Sequence, residues 1–427
     1  MSLLEEENIL KIYNKNLKKS IHLINRKDIF LVLTVLVLVI TPLIIGILFN
    51  KEREIEIAPS DIYLTISLRS GELFGKALIE KFLLEYEEQN PGIRINTAVS
   101  GEEPDIYIFD EGEFSDLIAG NFLTELNSFT NYDSGSAQIA IPLVSFMDLF
   151  FYNIDILTAA GFDSPPKTRD EFLSYARAVS RSNLDASGFA IGLSRNDKRA
   201  VSRDIFSWIW ASGSNFWTET GRPLINTRFI VNDFTFFRTL YREGLLTPDV
   251  FHATGDHNLE QFAQGKIAMM IASAGVIPYL REKMGDDKFG VTTIPDPVTG
   301  GRYEINISAI YAGMSANSAY PEEIWDFLVF LTEKSSVFCE ELKAIPGIAS
   351  NIIPGDYVSD DPFYSKAWSI YEFAGVAENF FHKPGAGEYY DVFIDELEVF
   401  FDSNRTAQQT VTAIQQRWDD IFLGIQQ

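Results

Sequence analysis

An uninterrupted apolar segment near the start of the chain places the strongest constraint on how it can fold. Residues 29–49, IFLVLTVLVLVITPLIIGILF, carry no charged side chain. A helix of about 21 residues is about 31 Å long, which matches the hydrocarbon core of a bilayer. A helix of this length in a soluble protein would carry a polar stripe, and this segment has none. The segment therefore predicts a transmembrane helix.

The flanks of this segment predict an uncleaved anchor and its orientation. A cleavable signal peptide has an apolar region of about 7–15 residues and then small residues at the cleavage site. The apolar segment continues instead into NKEREIEIAPS, so we favour an anchor over a removed signal peptide. Basic residues stay on the cytoplasmic side, and six precede the segment: Lys11, Lys15, Lys18, Lys19, Arg26 and Lys27. We expect a cytoplasmic segment at 1–28, an extracytoplasmic linker at 50–60, and the rest of the chain outside the cytoplasmic membrane.

Length and charge exclude several classes of protein. A chain of 427 residues fits two or three domains of ordinary size. Its 60 acidic and 35 basic side chains give a formal net charge of −25, which repels phosphate backbones, so nucleic acid is a poor partner. The single cysteine, Cys339, excludes an intrachain disulfide and a structural zinc site built from thiolates. We interpret it as a small core residue.

The part of the chain after the linker alternates strand-like and helix-like segments, as α/β proteins do. DIYLTISL, IRINTAV and PDIYIFDEG read as strands, and GELFGKALIEKFLLEYEEQNPG reads as an amphipathic helix between the first two. Further on, Thr168 stands at the expected start of a helix, with Asp170 and Glu171 in its first turn. Ligands of open α/β sheets bind at the carboxyl ends of the strands, so we expect the site there.

Five segments in order resemble a known family, the extracellular solute-binding proteins of ABC importers for sugars, which includes the maltose-binding proteins. The resemblance runs from about residue 61 to 425. Its most specific string is LFFYNIDILTAAGFDSPPKTRDEFLSYA. The other four are FLLEYEEQNPGIRINTAVSG, EPDIYIFDEGEFSDLIAGNFLTEL, FAQGKIAMMIAS and AGMSANSAYPEEIWDFLVFLTE.

This resemblance implies a two-lobed α/β fold of the periplasmic-binding-protein type, with crossing segments between the lobes. Lobe 1 would hold residues 61–147 and 306–353, and lobe 2 would hold 148–305 and 354–427. A small polar ligand, expected to be a sugar, would be enclosed as the lobes close and then delivered to ABC permease subunits in the membrane. We expect no enzymatic activity and no cofactor.

Polar residues at strand ends are the first candidates for ligand contacts. Arg69, Ser70 and Glu72 follow the first strand, where members of the family often place such contacts. Asp110 and Glu111 end the strand DIYIFD, and a carboxylate there could accept hydrogen bonds from sugar hydroxyls. The alternative for Asp110 is an N-cap of the helix that follows.

Aromatic residues and the crossing segments supply the remaining candidates. Sugar sites pair polar groups with a flat ring, and FSWIWASGSNFW is the densest aromatic patch, which nominates Trp208 and Trp210. Core packing is the alternative for either ring. The resemblance nominates five more residues: Ser273, Asn306, Ser308, Tyr389 and Tyr390. Many members of the family have a large aromatic near Ala274 and Gly275, so the case for long oligosaccharides is weak.

Rival functions find less support in the residues. A hydrolase would need a nucleophile or acid pair, and neither a G-x-S-x-G nor an H-E-x-x-H motif occurs. The segment HATGDHNLE offers His252, Asp256, His257 and Glu260, but its histidines are five apart, so we expect a solvated loop and no metal site. A ligand sensor or scaffold acting with a membrane partner remains open, although 28 cytoplasmic residues are too few for a signalling domain.

Overall fold

The computed structural model describes residues 62–68, 76–99, 101–127, 139–182, 184–296, 304–346, 358 and 360–425. The chain divides into the compact units Met1–Asp61 and Ile62–Gln427, and every described residue lies in the second. Strands and helices alternate along that unit, so the predicted α/β class is confirmed.

The strands are β1 (Ile62–Leu68), β2 (Ile93–Thr97), β3 (Ile106–Asp110), β4 (Ile141–Asn153), β5 (Ser187–Phe189), β6 (Ile267–Ser273), β7 (Phe289–Thr292), β8 (Glu304–Ile305), β9 (Ile307–Met314), β10 (Ile345–Pro346) and β11 (Gly375–Val376).

The α-helices are α1 (Lys76–Gln89), α2 (Glu111–Ala119), α3 (Ile154–Ala159), α4 (Arg169–Arg181), α5 (Lys198–Val201), α6 (Ser207–Ala211), α7 (Arg228–Arg242), α8 (Gly255–Ala263), α9 (Ile277–Met284), α10 (Pro321–Glu333), α11 (Ser335–Leu342), α12 (Pro362–Phe373), α13 (Ala386–Asp402) and α14 (Ala407–Ile425). A π-helical segment (Ser202–Phe206) links α5 to α6, and short 3₁₀ turns occupy Ala274–Val276 and Phe380–His382.

The described strands form a nine-stranded mixed sheet with the order β2-β1-β3-β9-β4-β6-β5, in which β7 and β10 also pair with β4. Strand β1 runs parallel to β2 and β3, and β9 runs antiparallel to β3 and β4. Strand β4 is 13 residues long and changes partners along its length. Residues up to Met147 pair with β9, and from Asp148 onward they pair with β6 and β7. This strand therefore connects the two halves of the sheet.

Local sequence signals account for the positions of several helices. Helix α4 begins at Arg169, and its N-cap Thr168 accepts a hydrogen bond from the backbone N–H of Glu171 at 3.2 Å. Asp170 and Glu171 occupy the first turn, where acidic side chains stabilise the helix dipole. The predicted helix start is confirmed. Helix α1 ends at Gln89, just before Asn90 and Pro91, because proline cannot continue a helix.

Three hydrophobic clusters hold the sheet and helices together. One lies under β1, β3, the first half of β4 and helices α1 and α10. Another lies under the second half of β4, β6, β7 and helices α9 and α12. The largest is rich in aromatic rings and is formed by α4, α6, α7, α13 and α14, with Phe114 and Leu117 of α2. This cluster therefore packs α2, which follows β3, against helices from later parts of the chain.

No helix within the described residues is both long and apolar enough to cross a bilayer. The predicted anchor at 29–49, the cytoplasmic segment at 1–28 and the linker at 50–60 all lie outside the described residues.

Candidate ligand-binding site

A cavity lies where the carboxyl end of β3 meets the strands that connect the two halves of the sheet. It encloses about 830 Å³, including the part that is open to solvent. Its wall includes the start of α2, the middle of β4, the end of β6, the start of β9, the π-helical segment and α8. The part that a water-sized sphere can occupy is about 70 Å³, which is less than the roughly 300–1,000 Å³ of common small-molecule sites, so a sugar-sized solute requires the cavity to widen.

Four residues nominated from the sequence line this cavity: Glu111, Ser273, Asn306 and Ser308. Ser273 is the last residue of β6, and its Oγ accepts a hydrogen bond from the backbone N–H of Gly275 at 3.2 Å. Ser308 is near the start of β9, and its Oγ lies 3.4 Å from the backbone oxygen of Phe146. The fold brings these side chains together although they are far apart in the sequence.

Glu111 is buried at the first turn of α2. Burial raises the pKa of its carboxyl group well above the ordinary value, and the acidic neighbours Asp148 and Asp110 raise it further. Hydrogen bonds from the backbone of Ala309 and the side chain of Asn379 act in the opposite direction and are outweighed. The Oε1 atom has no hydrogen-bond partner among the described residues. A neutral carboxyl group can donate as well as accept a hydrogen bond.

Asp148 lies in the middle of β4, where the strand changes partners. Asn306 Nδ2 donates a hydrogen bond of 2.6 Å to its Oδ2, which orients both side chains at the cavity. Burial raises the pKa of Asp148 to about 6, although Arg203, Asn306 and Arg199 lower it. The sequence contained a signal for this residue, because Asp148 is the only charge in the apolar strand IPLVSFMDLFFYN.

A buried pair of opposite charges forms another part of the wall. Arg203 and Asp204 lie in the π-helical segment, a rare geometry that is frequent at functional sites. Arg203 Nε donates to Asp204 Oδ1 at 3.1 Å, and the backbone N–H of Gly192 donates to Oδ2 at 2.7 Å. Burial nevertheless raises the pKa of Asp204 to about 7. Burial alone would lower the pKa of Arg203, but Asp204, Asp148 and Asp197 together raise it. Arg203 therefore keeps its positive charge.

Asn258 is the polar residue of the cavity that sequence reasoning missed most clearly. It lies on α8, is 3% exposed and lines the cavity, and neither its Nδ2 nor its Oδ1 has a hydrogen-bond partner among the described residues. An amide buried without partners costs about 1–3 kcal/mol. Such a group is suited to a ligand that supplies both an acceptor and a donor.

Asp110 has two partners of its own. It is the N-cap of α2, where its Oδ1 accepts a hydrogen bond of 2.9 Å from the backbone N–H of Gly112. Its Oδ2 lies 3.2 Å from Arg199 Nη1. The N-cap alternative is therefore confirmed for Asp110, and this side chain is not among the residues that line the cavity.

The sequence profile of the family described as "Bacterial extracellular solute-binding protein" matches residues 71–337, which is more than half of the chain. The chain belongs to this family. A protein of Brucella abortus (strain 2308), whose name describes a binding protein, is 24% identical over 282 residues, which are 58% of this chain and 67% of that protein.

Two solved structures are similar over most of this solute-binding protein. Maltose-bound MalE3 of T. maritima is 18% identical with a TM-score of 0.68, and the match covers 84% of this chain and 99% of that one. An ABC transporter solute-binding protein of Thermotoga lettingae TMO, bound with alpha-D-tagatose, is 16% identical with a TM-score of 0.69. This match covers 84% of this chain and 100% of that one. At these identities the likeness shows the fold, which is the two-lobed periplasmic-binding-protein fold. The predicted family resemblance is confirmed.

Two tryptophans nominated as ligand contacts lie in the core of the solute-binding protein. Trp208 and Trp210 are 0% and 1% exposed. Trp208 packs against Phe172 and Phe189 with ring centroids 5.0 and 5.6 Å apart, and Trp210 packs against Phe206 at 5.7 Å. The reason is that α6 is a short helix surrounded on every side, so all five of its residues are buried. The structure therefore corrects the expectation of an aromatic ligand contact here in favour of core packing.

The two nominated tyrosines are also buried in the core. Tyr389 and Tyr390 lie on α13 and are each 1% exposed. Trp418 packs against the ring of Tyr389 at 5.5 Å and donates a hydrogen bond of 2.8 Å to its backbone oxygen. Tyr390 packs against Phe381 at 5.8 Å. Neither tyrosine lines the cavity. Helix α13 buries one apolar face, and both tyrosines lie on it, which explains the difference from the expectation.

The remaining sequence predictions concern three residues after the first strand and the segment HATGDHNLE. Arg69, Ser70 and Glu72 lie outside the described residues. The segment HATGDHNLE is a loop only up to Thr254, because Gly255–Ala263 forms α8 with Thr254 as its N-cap, so the loop prediction is wrong for its second half. Within the described part of the chain, no group of three or more His, Cys, Asp or Glu side chains is arranged to hold a metal ion.

Proposed function

We propose that this solute-binding protein captures a small polar solute of the carbohydrate class in the cavity and delivers it to an ABC importer. One observation carries the proposal: the wall of the cavity holds Asn258, a buried amide with no hydrogen-bond partner in the part of the chain that the structure describes. Burying such a group stabilises nothing in the empty protein, whereas a polyhydroxylated ligand would satisfy both its donor and its acceptor.

The neighbouring groups suit the same class of ligand. Glu111, Ser308 and Asn306 offer carboxyl, hydroxyl and amide groups within one enclosed space. Hydroxyl groups of a sugar both donate and accept hydrogen bonds, so a wall of mixed donors and acceptors can match them. Two proteins of similar structure are bound to maltose and to alpha-D-tagatose, which supports a sugar or a sugar-like ligand.

Closure of the two lobes would provide the signal that the transporter reads. Residues of the cavity come from α2 on one side and from α8 and the π-helical segment on the other. A ligand that contacts both sides binds the closed form more tightly than the open form and shifts the population toward closure. The permease subunits could then distinguish the loaded protein from the empty one.

The proposal places the protein at the outer face of the cytoplasmic membrane, held by residues 29–49. The uncharged segment and the basic residues before it support this location. In membranes from expressing cells, the protein should resist extraction by alkaline carbonate and should be degraded by protease added to the outer face. A variant that lacks residues 29–49 and is recovered in the carbonate extract would agree with the anchor. Extraction of the parent protein would contradict it.

Thermal unfolding of the full-length chain in a mild detergent tests the solute-binding function. A panel of monosaccharides, disaccharides and sugar alcohols should include members that raise the unfolding temperature, because saturation at about 100 times Kd stabilises the folded state by about 2.7 kcal/mol. The variant Asn258→Leu is the matched control, since it removes the amide and keeps a side chain of similar size. If no compound in the panel stabilises the parent chain, carbohydrate capture is refuted.

A further inference from the structure

The acidic side chains of the cavity differ in whether an arginine lies near them. Of the two arginines that line it, Arg203 pairs with Asp204 and Arg199 pairs with Asp110. Asp148 is attracted by both arginines but shares them with those partners. The charged groups that act on Glu111 are both acidic, namely Asp148 and Asp110. Within the described part of the cavity, Arg203 and Arg199 attract Asp148, whereas the charged groups that act on Glu111 are acidic.

The cavity also lacks the feature that most suits a neutral sugar. No aromatic ring belongs to the described residues that line it, and its apolar wall is made of aliphatic side chains such as Leu259, Met270 and Val276. The tryptophans that could have provided a flat surface, Trp208 and Trp210, lie in the core. None of the described residues of the wall therefore offers a ring for stacking against the apolar face of a sugar. The described wall offers polar and charged groups for recognition instead.

Asn258 supplies an observation that is independent of the acidic side chains. It comes from α8, on a different part of the wall from Glu111, and its amide is 3% exposed without a partner for either polar atom. The Oε1 atom of Glu111, whose side chain is also buried, is likewise without a partner among the described residues. Two buried polar groups from separate elements thus have free hydrogen-bonding capacity at the same cavity.

We infer that the solute carries a protonated amino group, as an amino sugar does, and that this ammonium group lies between Glu111 and Asp148 while Asn258 binds a neighbouring hydroxyl group. This inference rests on the proposed capture of a polar solute and specifies the chemical class. An ammonium group donates three hydrogen bonds and accepts none, so two carboxylates are its natural partners. A buried carboxylate that gains an opposite charge also recovers part of the free energy lost by its removal from water.

Proton release is the expected signature of this arrangement. Burial and the acidic neighbours Asp148 and Asp110 raise the pKa of Glu111 well above its ordinary value, which favours the protonated form of its carboxyl group. The other groups that face it are Tyr311, whose own pKa it helps to raise, and Asn379. An arriving ammonium favours the ionised carboxylate, because opposite charges at short range lower a carboxyl pKa. The proton then leaves to solvent as the cation takes its place.

Titration calorimetry on the full-length chain in detergent tests the inference with three matched ligand series. These are the hexosamines of the gluco, galacto and manno configurations, their N-acetyl derivatives and the parent hexoses. At least one hexosamine should bind at least tenfold more tightly than its N-acetyl derivative and its parent hexose at pH 7.5. Its binding enthalpy should vary with the ionisation enthalpy of the buffer in the direction of proton release, which a merely structural carboxyl group would not produce.

Variants separate the two carboxylates from the general negative charge of the protein. Glu111→Gln and Asp148→Asn should each weaken hexosamine binding at least tenfold, and Glu111→Gln should also remove the proton release. Glu260→Gln is the matched control, because it removes one negative charge from an exposed residue of α8 that does not line the cavity. It should change the affinity less than threefold.

The outcomes distinguish the inference from the function on which it rests. If parent hexoses bind as tightly as hexosamines, and Glu111→Gln binds like the parent protein, the amino group is refuted and carbohydrate capture stands. If none of the three series binds and no sugar of the thermal panel stabilises the chain, the inference and the proposed function are both refuted.

Discussion

Arg199 of α5 and Asp110, the N-cap of α2, form an ion pair with 3.2 Å between Nη1 and Oδ2. Beside this pair, Lys198 lies 2.9 Å from Asp116 of α2. The rings of Phe114 and His382 pack with their centroids 4.1 Å apart. These contacts join α2, which follows the first strands, to α5 and the 3₁₀ turn that belong to later parts of the chain. A movement of α2 away from α5 and the 3₁₀ turn would break all three contacts.

Removing the charges of Lys198 and Arg199 should favour the open form. Both ion pairs are partly exposed, so each contributes about 0.2–1 kcal/mol to closure. In the double variant Lys198→Gln/Arg199→Gln without ligand, we expect faster hydrogen–deuterium exchange at the backbone amides of α2 and the residues around the cavity. High salt should accelerate exchange in the parent protein in the same way, because it screens partly exposed pairs.

A matched control for this test is Arg195→Gln. Arg195 is also near α5 and pairs with Asp395 and Glu398, but both partners lie on α13 rather than on α2. Its loss should leave exchange in α2 unchanged. Equal exchange in α2 for the parent and the double variant would show that the ion pairs do not hold the cleft closed.

The sequence predicted the fold well because the signals for it are local or distributed along the chain. Alternating strands and helices, the N-cap Thr168 and the ordered family strings all depend on the residues themselves. The site was harder to predict from the sequence, because its residues depend on which face of a helix points inward. Glu111 and Asn306 follow strand ends or crossing segments and do line the cavity, whereas Trp208 sits on a helix that is buried all round. Asn258 had no signal, because a polar residue in a polar segment gives no sign of burial.

The placement of Trp208 leads to a prediction that separates packing from binding. Trp208→Ala should lower the free energy of unfolding by about 3–5 kcal/mol, because it leaves a cavity among Phe172, Phe189 and Phe236. Where enough protein remains folded, ligand affinity should be within threefold of the parent value. Urea unfolding and calorimetry would measure the two quantities, with Trp208→Phe as a milder variant that keeps an aromatic ring. A large loss of affinity in folded Trp208→Phe would place this ring at the ligand.

Asn258→Leu should have the opposite effects: it should lower ligand affinity and leave the stability of the fold unchanged or higher. The buried amide has no partner among the residues that the structure describes, so replacing it with an apolar side chain removes an uncompensated desolvation cost of about 1–3 kcal/mol. We expect the empty variant to be as stable as the parent or more stable in urea, while ligand affinity falls at least tenfold. Glu260→Leu, on an exposed position of the same helix, should change neither quantity. Lower stability of empty Asn258→Leu would mean that the amide has a structural role.

Stability should depend on pH through the buried acid Asp204. Burial raises its pKa from 3.8 to about 7, so between these values the folded state holds a proton that the unfolded state has lost. Its contribution is therefore fully present below about pH 4 and is lost as pH rises through about 7, by up to about 1.4 kcal/mol per pH unit. His382 has the opposite effect on stability, because burial lowers its pKa from 6.5 to about 4.

The test therefore compares the free energy of unfolding in urea of the parent and of Asp204→Asn at intervals from pH 4.5 to 8. The parent should lose stability relative to the variant as pH rises, whereas parallel curves would show that Asp204 stays ionised in the folded protein.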